Sequence, residues 1–150
     1  MEQDHKVDRS GWKPGPWDEE PEDRVEWRYR GFPCLIVRNH VGSWCGYVGL
    51  SPTHRWYLKD EDGIPVDVHG GLTYGRKCDG GPICHVPRDG ESDEVYWIGF
   101  DTAHLGDLLP AMAAITGHAS MPGYEERYWT RDAVKAEVEK LADQCVEEKQ

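Results

Sequence analysis

The rhythm of apolar and polar positions changes twice along this 150-residue chain. Residues 1–24 show no period. Pro14, Pro16 and Pro21 deny that stretch a regular element, yet Trp12 and Trp17 carry too much apolar surface to leave in water. The arm is therefore expected to dock onto the domain or onto a partner chain. From Val25 the period is two. In "VEWRYR", Val25, Trp27 and Tyr29 alternate with Glu26, Arg28 and Arg30, the pattern of a half-buried strand. "PCLIVR" is a continuous apolar run of strand length, and "WCGYVGL" follows with glycines that mark a bulge or a close backbone approach. "IPVDVH" and "LTYG" read as two further strands around Gly70 and Gly71, and "EVYWIGF" as the last. Most of the connections are too short for crossover helices, so the sheet is expected to be antiparallel.

After residue 100 the period lengthens. "GDLLPAMAAIT" suits a helix that begins near Leu109, with Pro110 in its first turn. The clearer pattern lies further on. Thr130 is a good N-cap, Asp132 complements the positive helix start, and Val134, Val138, Leu141 and Cys145 recur at spacings of four, three and four. That stripe is expected to lie on the sheet. The reading is an α+β protein: an antiparallel sheet of about five or six short strands packed by a carboxy-terminal helix, with a Pro/Trp-rich arm over 1–24 and one domain over 25–150.

Composition narrows the function classes. No apolar run approaches the ~20 residues of a membrane span, and the amino end has no apolar stretch like a secretion signal. A soluble, cytoplasmic protein with no membrane partner is expected. In that reducing setting the odd count of five cysteines reads as thiols, at Cys34, Cys45, Cys78, Cys84 and Cys145. The net charge of −11 argues against binding a nucleic-acid polymer by bulk electrostatics. The charge is uneven, however. Residues 1–23 carry three basic and eight acidic side chains, residues 89–150 five and fourteen, and residues 24–88 nine and six. A positive centre in an acidic chain is where a small anion would be held.

That centre also holds the candidate chemistry. Arg38, Arg55, Arg76 and Lys77 are candidates to meet phosphate, the last two beside glycines whose backbone N–H groups can join them. Trp44, Tyr47, Trp56 and Tyr74 are candidate stacking rings. The Walker phosphate loop is missing, so an NTPase is not expected. In "DVHGG", Asp67 and His69 would share one face of a strand, and in "GFDTAHLGDLL", Asp101, His104 and Asp107 follow a strand end. If those strands are neighbours the groups converge. Four uses stay open for them: metal ligation, general acid–base catalysis, recognition of a polar ligand, and a buried structural network. Cys78, Cys84 and His85, with Cys45 as a fourth ligand, also raise zinc, but C-x5-C-H fits none of the usual knuckle spacings. No metal and no cofactor is expected.

Taken together, "GFPCLIVRN", "WCGYVGLSPTH", "VDVHGGLTYG", "ICHVP", "YWIGFDTAHLGDLLP" and "YWTRDAVKAEVEKLADQ" resemble a family of small bacteriophage and prophage proteins, over roughly residues 10–145. The resemblance implies an accessory role such as countering host defence, by sequestering or by cleaving a nucleotide second messenger. It assigns no catalytic residues. The expectation is a homo-oligomeric binding protein that captures a small phosphorylated nucleotide-like ligand. Arg38, Arg55, Arg76 and Lys77 would meet phosphate, Trp44, Tyr47, Trp56 and Tyr74 would stack, and His69, Asp101 and His104 would read polar edges. The alternatives are a hydrolase of the same ligand class that uses His69, Asp101, His104 and Asp107, or an acidic protein that blocks a host protein.

Overall fold

The computed structural model describes residues 6–12, 14–40, 42–78, 83–84, 94–102 and 128–146. Among these residues five strands form one antiparallel sheet: β1 Arg24–Tyr29, β2 Phe32–Arg38, β3 Trp44–Leu50, β4 Tyr74–Lys77 and β5 Tyr96–Phe100. Their spatial order is β1-β2-β3-β5-β4, with every neighbouring pair antiparallel. Among the described residues one α-helix, α1 Arg131–Cys145, packs on β2 and β3. The α+β architecture read from the sequence is the one observed.

Local chemistry accounts for these elements. Tyr29 faces Phe32, so only Arg30 and Gly31 close the first hairpin, and their φ values of 51° and 86° are those of a type I′ turn. The Thr130 hydroxyl accepts the Ala133 N–H at 3.2 Å and caps α1. Val134, Val138, Leu141, Ala142 and Cys145 are all buried, which seats the stripe as its spacing requires. The glycines of β3 produce close approach, not a bulge. A Cβ on Gly46 would stand 2.5 Å from Val138 Cγ2 and 2.7 Å from the Phe100 ring, so the helix is seated where the strand has no side chain.

The sheet separates two apolar clusters. On the helix face, Cys34, Ile36, Trp44, Val48, Leu50, Ile98 and Phe100 form one cluster with the buried stripe of α1, joined by Trp17, Trp56, Ile64 and Val68. On the second face lie Leu35, Val37, Cys45, Tyr47, Val95 and Trp97, with Tyr74 and Ile83 against them. Both clusters follow the alternation of the strands, whose neighbouring side chains point to opposite faces.

Two expectations are corrected here. "IPVDVH" is not a strand. Pro65 lacks a backbone donor, Gly70 and Gly71 turn the chain at φ 70° and 80°, and the backbone of the segment bonds to the helix instead. The Asp67 N–H donates to Gln144 Oε1 at 2.7 Å and the His69 N–H to Glu137 Oε1 at 2.9 Å. Nor are all five cysteines thiols. Cys78 and Cys84 form a disulfide with Cα atoms 5.1 Å apart, while Cys34, Cys45 and Cys145 are free and buried. That Cα separation, across six positions of sequence, lies within disulfide range. The helix expected near Leu109 lies outside the described residues. Among the described residues no helix is long and apolar enough to cross a membrane.

Candidate ligand-binding face

The described candidate residues other than Lys77 divide among four places. Arg38 and Trp44 belong to the interior. Arg38 is fully buried, with Nη2 on Glu20 Oε1 at 3.0 Å, Nε on Asp23 Oδ1 at 3.1 Å and Nη1 on the Gly42 carbonyl at 2.7 Å. The Trp44 ring lies 4.2 Å from the Arg38 guanidinium carbon, and its Nε1–H donates to Glu20 at 3.1 Å. The Tyr128 hydroxyl and the Arg131 N–H also donate to Glu20, while Arg9 and the Val7 N–H bond to Asp23. This network binds the arm to β2, β3 and the start of α1. Trp17 is buried in it, edge-on to Tyr128 at 5.2 Å. The arm therefore docks on its own domain. Arg38 and Trp44, expected to meet phosphate and a base, have no solvent-facing surface with which to do so.

Electrostatics agree with a structural role for this network. Burial pushes the Glu20 carboxyl up, but the hydrogen bonds from Tyr128, the Arg131 N–H, Trp44 and Arg38 outweigh it and hold the carboxyl below its usual range. Burial opposes ionisation of Asp23 likewise, and the Val7 N–H and Arg9 reverse it. Tyr128 is raised, first by burial and then by its bond to Glu20.

The second place is the segment after β3. Arg55 is exposed and lies over Trp56 at 4.3 Å. Trp56 itself is buried, and its N–H donates to His54 Nδ1 while His54 Nε2 reaches the Cys145 carbonyl at 2.7 Å. The third place is the α1 flank, where the His69 ring packs on Trp129 at 4.3 Å. Asp67 is bound there too, through its carbonyl to Gln144 Nε2 and its carboxylate to Lys140.

The fourth place gathers several candidates. Tyr47, Tyr74, Arg76 and Asp101 share the second face of the sheet. Tyr74 stands edge-on to Tyr47 at 5.1 Å, and the Arg76 guanidinium carbon lies 5.9 Å from the Tyr74 ring. Register explains the grouping: Tyr74 faces Gly99, which faces Tyr47, and a Cβ on Gly99 would occupy the space the Tyr47 ring takes. Asp101 continues β5 by two residues beyond Gly99 and accepts from the Thr73 hydroxyl at 3.5 Å. The same alternation separates Arg76 from Lys77. Lys77 points to the opposite face and pairs with Glu94 at 3.4 Å, so the basic pair does not act on one ligand.

Polar side chains that the sequence reading did not single out complete this face. Asn39 Nδ2 donates to Ser43 Oγ at 2.7 Å and approaches Cys45 Sγ at 3.9 Å. Burial pushes the Cys45 thiol up to about 11, and the charge of Asp101 adds to it. Tyr47 is raised by burial first and by its neighbour Cys45 second. Neither group ionises near neutral pH, so both act as neutral hydrogen-bonding groups. Pattern alone offers little signal for Asn39 and Ser43, which look like ordinary turn residues between two strands.

The convergence of Asp67, His69, Asp101, His104 and Asp107 does not follow from strand order, because residues 64–69 form no strand. The contacts of His69 run to α1, whereas those of Asp101 run to Thr73 on the second face. His104, Asp107 and His85 lie outside the described residues. Among the described residues, no three His, Cys, Asp or Glu side chains are gathered as a metal site. No protein-family model matches the chain, and no curated protein or solved structure matches it.

Proposed function

We propose that this protein captures a small phosphorylated, nucleotide-like ligand on the second face of its sheet and holds it without turning it over. The observation that carries this reading is Arg76. It is exposed, it lies against the Tyr74 ring, and no carboxylate among the described residues pairs with it. An exposed guanidinium without a carboxylate, backed by an aromatic ring, is suited to a phosphate and a neighbouring base.

The order of groups along the face fits a ligand with two unlike ends. Arg76 faces Trp97 on β5, and Asp101 lies four residues further along the same strand line. At about 3.3 Å per residue that is roughly 13 Å. Tyr74 and Tyr47 lie between them. Phosphate would sit at Arg76 and the base against Tyr74. Sugar hydroxyls or base N–H groups would meet Asp101, Thr73 and Asn39, where a carboxylate accepts and an anion is repelled. Capture is favoured over hydrolysis because His69 is engaged with α1, on the other side from Asp101. In the phage-type setting that the motifs resemble, such capture removes a nucleotide-derived immune signal from circulation.

Native mass spectrometry of the protein mixed with cyclic and ADP-ribose-type nucleotides tests this reading, with the released molecule weighed after heat denaturation. One member of the panel should be retained and released intact in stoichiometric amount. A ligand released with altered mass would replace capture with catalysis. Retention of none would overturn the reading for this ligand class.

A further inference from the structure

We infer that Cys78 and Cys84 form a reversible thiol–disulfide site that sets how firmly the Arg76 end of β4 is held. The five cysteines fall into two groups. Cys34, Cys45 and Cys145 are buried, and burial pushes their thiols up to about 12, 11 and 12. They present almost no thiolate at neutral pH and are inert packing residues. Cys78 is different. It is exposed and bonded to Cys84, six positions on, and it directly follows Lys77, the last residue of β4.

The two ends of this bond are held very differently. Cys84 is buried, its carbonyl accepts from the Arg24 guanidinium of β1, and Ile83 beside it packs on the second-face cluster. β1 and β4 are opposite edges of the sheet. The disulfide thus fastens the exposed end of one edge strand to a residue anchored from the other edge. β4 has only four residues and pairs with β5 alone among the described strands, so it contributes few backbone bonds of its own. A covalent tie at its end has a correspondingly large local effect.

The chemistry needs a thiol reductant, and a dithiol is the class that completes it. Its thiolate attacks the sulfur of the exposed residue Cys78, the Cys78–Cys84 bond breaks, and Cys84 leaves as a thiolate. The second thiol of the reductant then attacks the mixed disulfide and releases Cys78. The protein gains two electrons and two protons, and the dithiol is oxidised to its own disulfide. Control of β4 follows from this tie alone. Only its bearing on ligand capture rests on the role given to Arg76 above, and the test below uses no ligand.

The full chain, first equilibrated with oxidised glutathione, is labelled with iodoacetamide under native conditions before and after dithiothreitol, and hydrogen exchange is followed over Tyr74–Lys77. No label is expected before reduction and two after it, at Cys78 and Cys84. Protection of the β4 amides should fall by about tenfold while that of β2 and β3 holds. The double variant Cys78→Ser/Cys84→Ser should exchange like the reduced protein. Failure of dithiothreitol to expose two labels would overturn the inference. So would two labels with unchanged β4 exchange, or labelling of the three buried thiols at the same time.

Discussion

Arg38 and Arg76 sit on the same sheet, each beside an aromatic ring, and they do opposite things. Arg38 is fully buried, stacked on Trp44 and bound to two carboxylates, a carbonyl and the Tyr128 hydroxyl. Arg76 is exposed, with its guanidinium carbon 5.9 Å from the Tyr74 ring and no carboxylate opposite it among the described residues. The difference lies not in residue type but in what the fold brings to each guanidinium. A buried arginine must be matched bond for bond, because an unmatched charge in the interior is very costly. An exposed one can wait for a ligand. The first holds the molecule together, and the second can give it something to bind.

Breaking the interior side of the comparison should have the largest effect. Arg38→Met leaves Glu20 and Asp23 buried without their shared cation. It should destabilise the protein by about 3–5 kcal/mol in urea unfolding, against almost nothing for Arg76→Met. A loss of less than about 1 kcal/mol would mean that the network does not hold the arm.

The same network should set the acid limb of stability. Glu20 and Asp23 both titrate below their ordinary range in the folded protein. Their contribution is therefore fully present above the unfolded carboxylate range near pH 4, and it is lost as pH falls through the lower folded values. Thermal unfolding followed from pH 6 to pH 2 should show a steep loss below about pH 4. Glu20→Gln should make that limb shallower by up to about 1.4 kcal/mol per pH unit, one proton's worth. An unchanged slope would remove Glu20 from the account.

A smaller effect is expected where the helix meets the sheet. Gly46→Ala places a methyl group against Val138 and Phe100 and should cost about 1–3 kcal/mol by overpacking. Because Gly46 lies on the helix face, this variant should leave ligand capture on the second face unchanged once folded. Coupled loss of both would show that the two faces are not independent.

Much of the scaffold was legible in the sequence. The apolar runs of β2 and β3 and the stripe Val134–Val138–Leu141–Cys145 report burial directly, while Val25, Trp27 and Tyr29 of β1 are half-buried against the same core. "IPVDVH" misled because its apolar spacing is real: Ile64 and Val68 are buried, but beside a helix and not in a ladder. The site was less legible. Whether an arginine faces a carboxylate depends on partners far away in sequence, such as Glu20 for Arg38, and no local pattern carries that. The shared phosphate role expected for Arg76 and Lys77 fails because both lie in β4, where neighbouring side chains point to opposite faces. The disulfide was hidden for a related reason, since spacing alone does not distinguish a turn that joins two cysteines from one that separates them.

The most direct test of this division of labour is a ligand-induced thermal shift, measured for the wild type and for Arg76→Ala with the same nucleotide panel. Without ligand the two proteins should unfold within about 0.5 kcal/mol of each other. With ligand, the wild type should be stabilised, and the variant should need at least about tenfold more nucleotide for the same shift. Equal shifts in the two proteins, or no shift in the wild type with any nucleotide, would contradict the claim that the second face is a binding site.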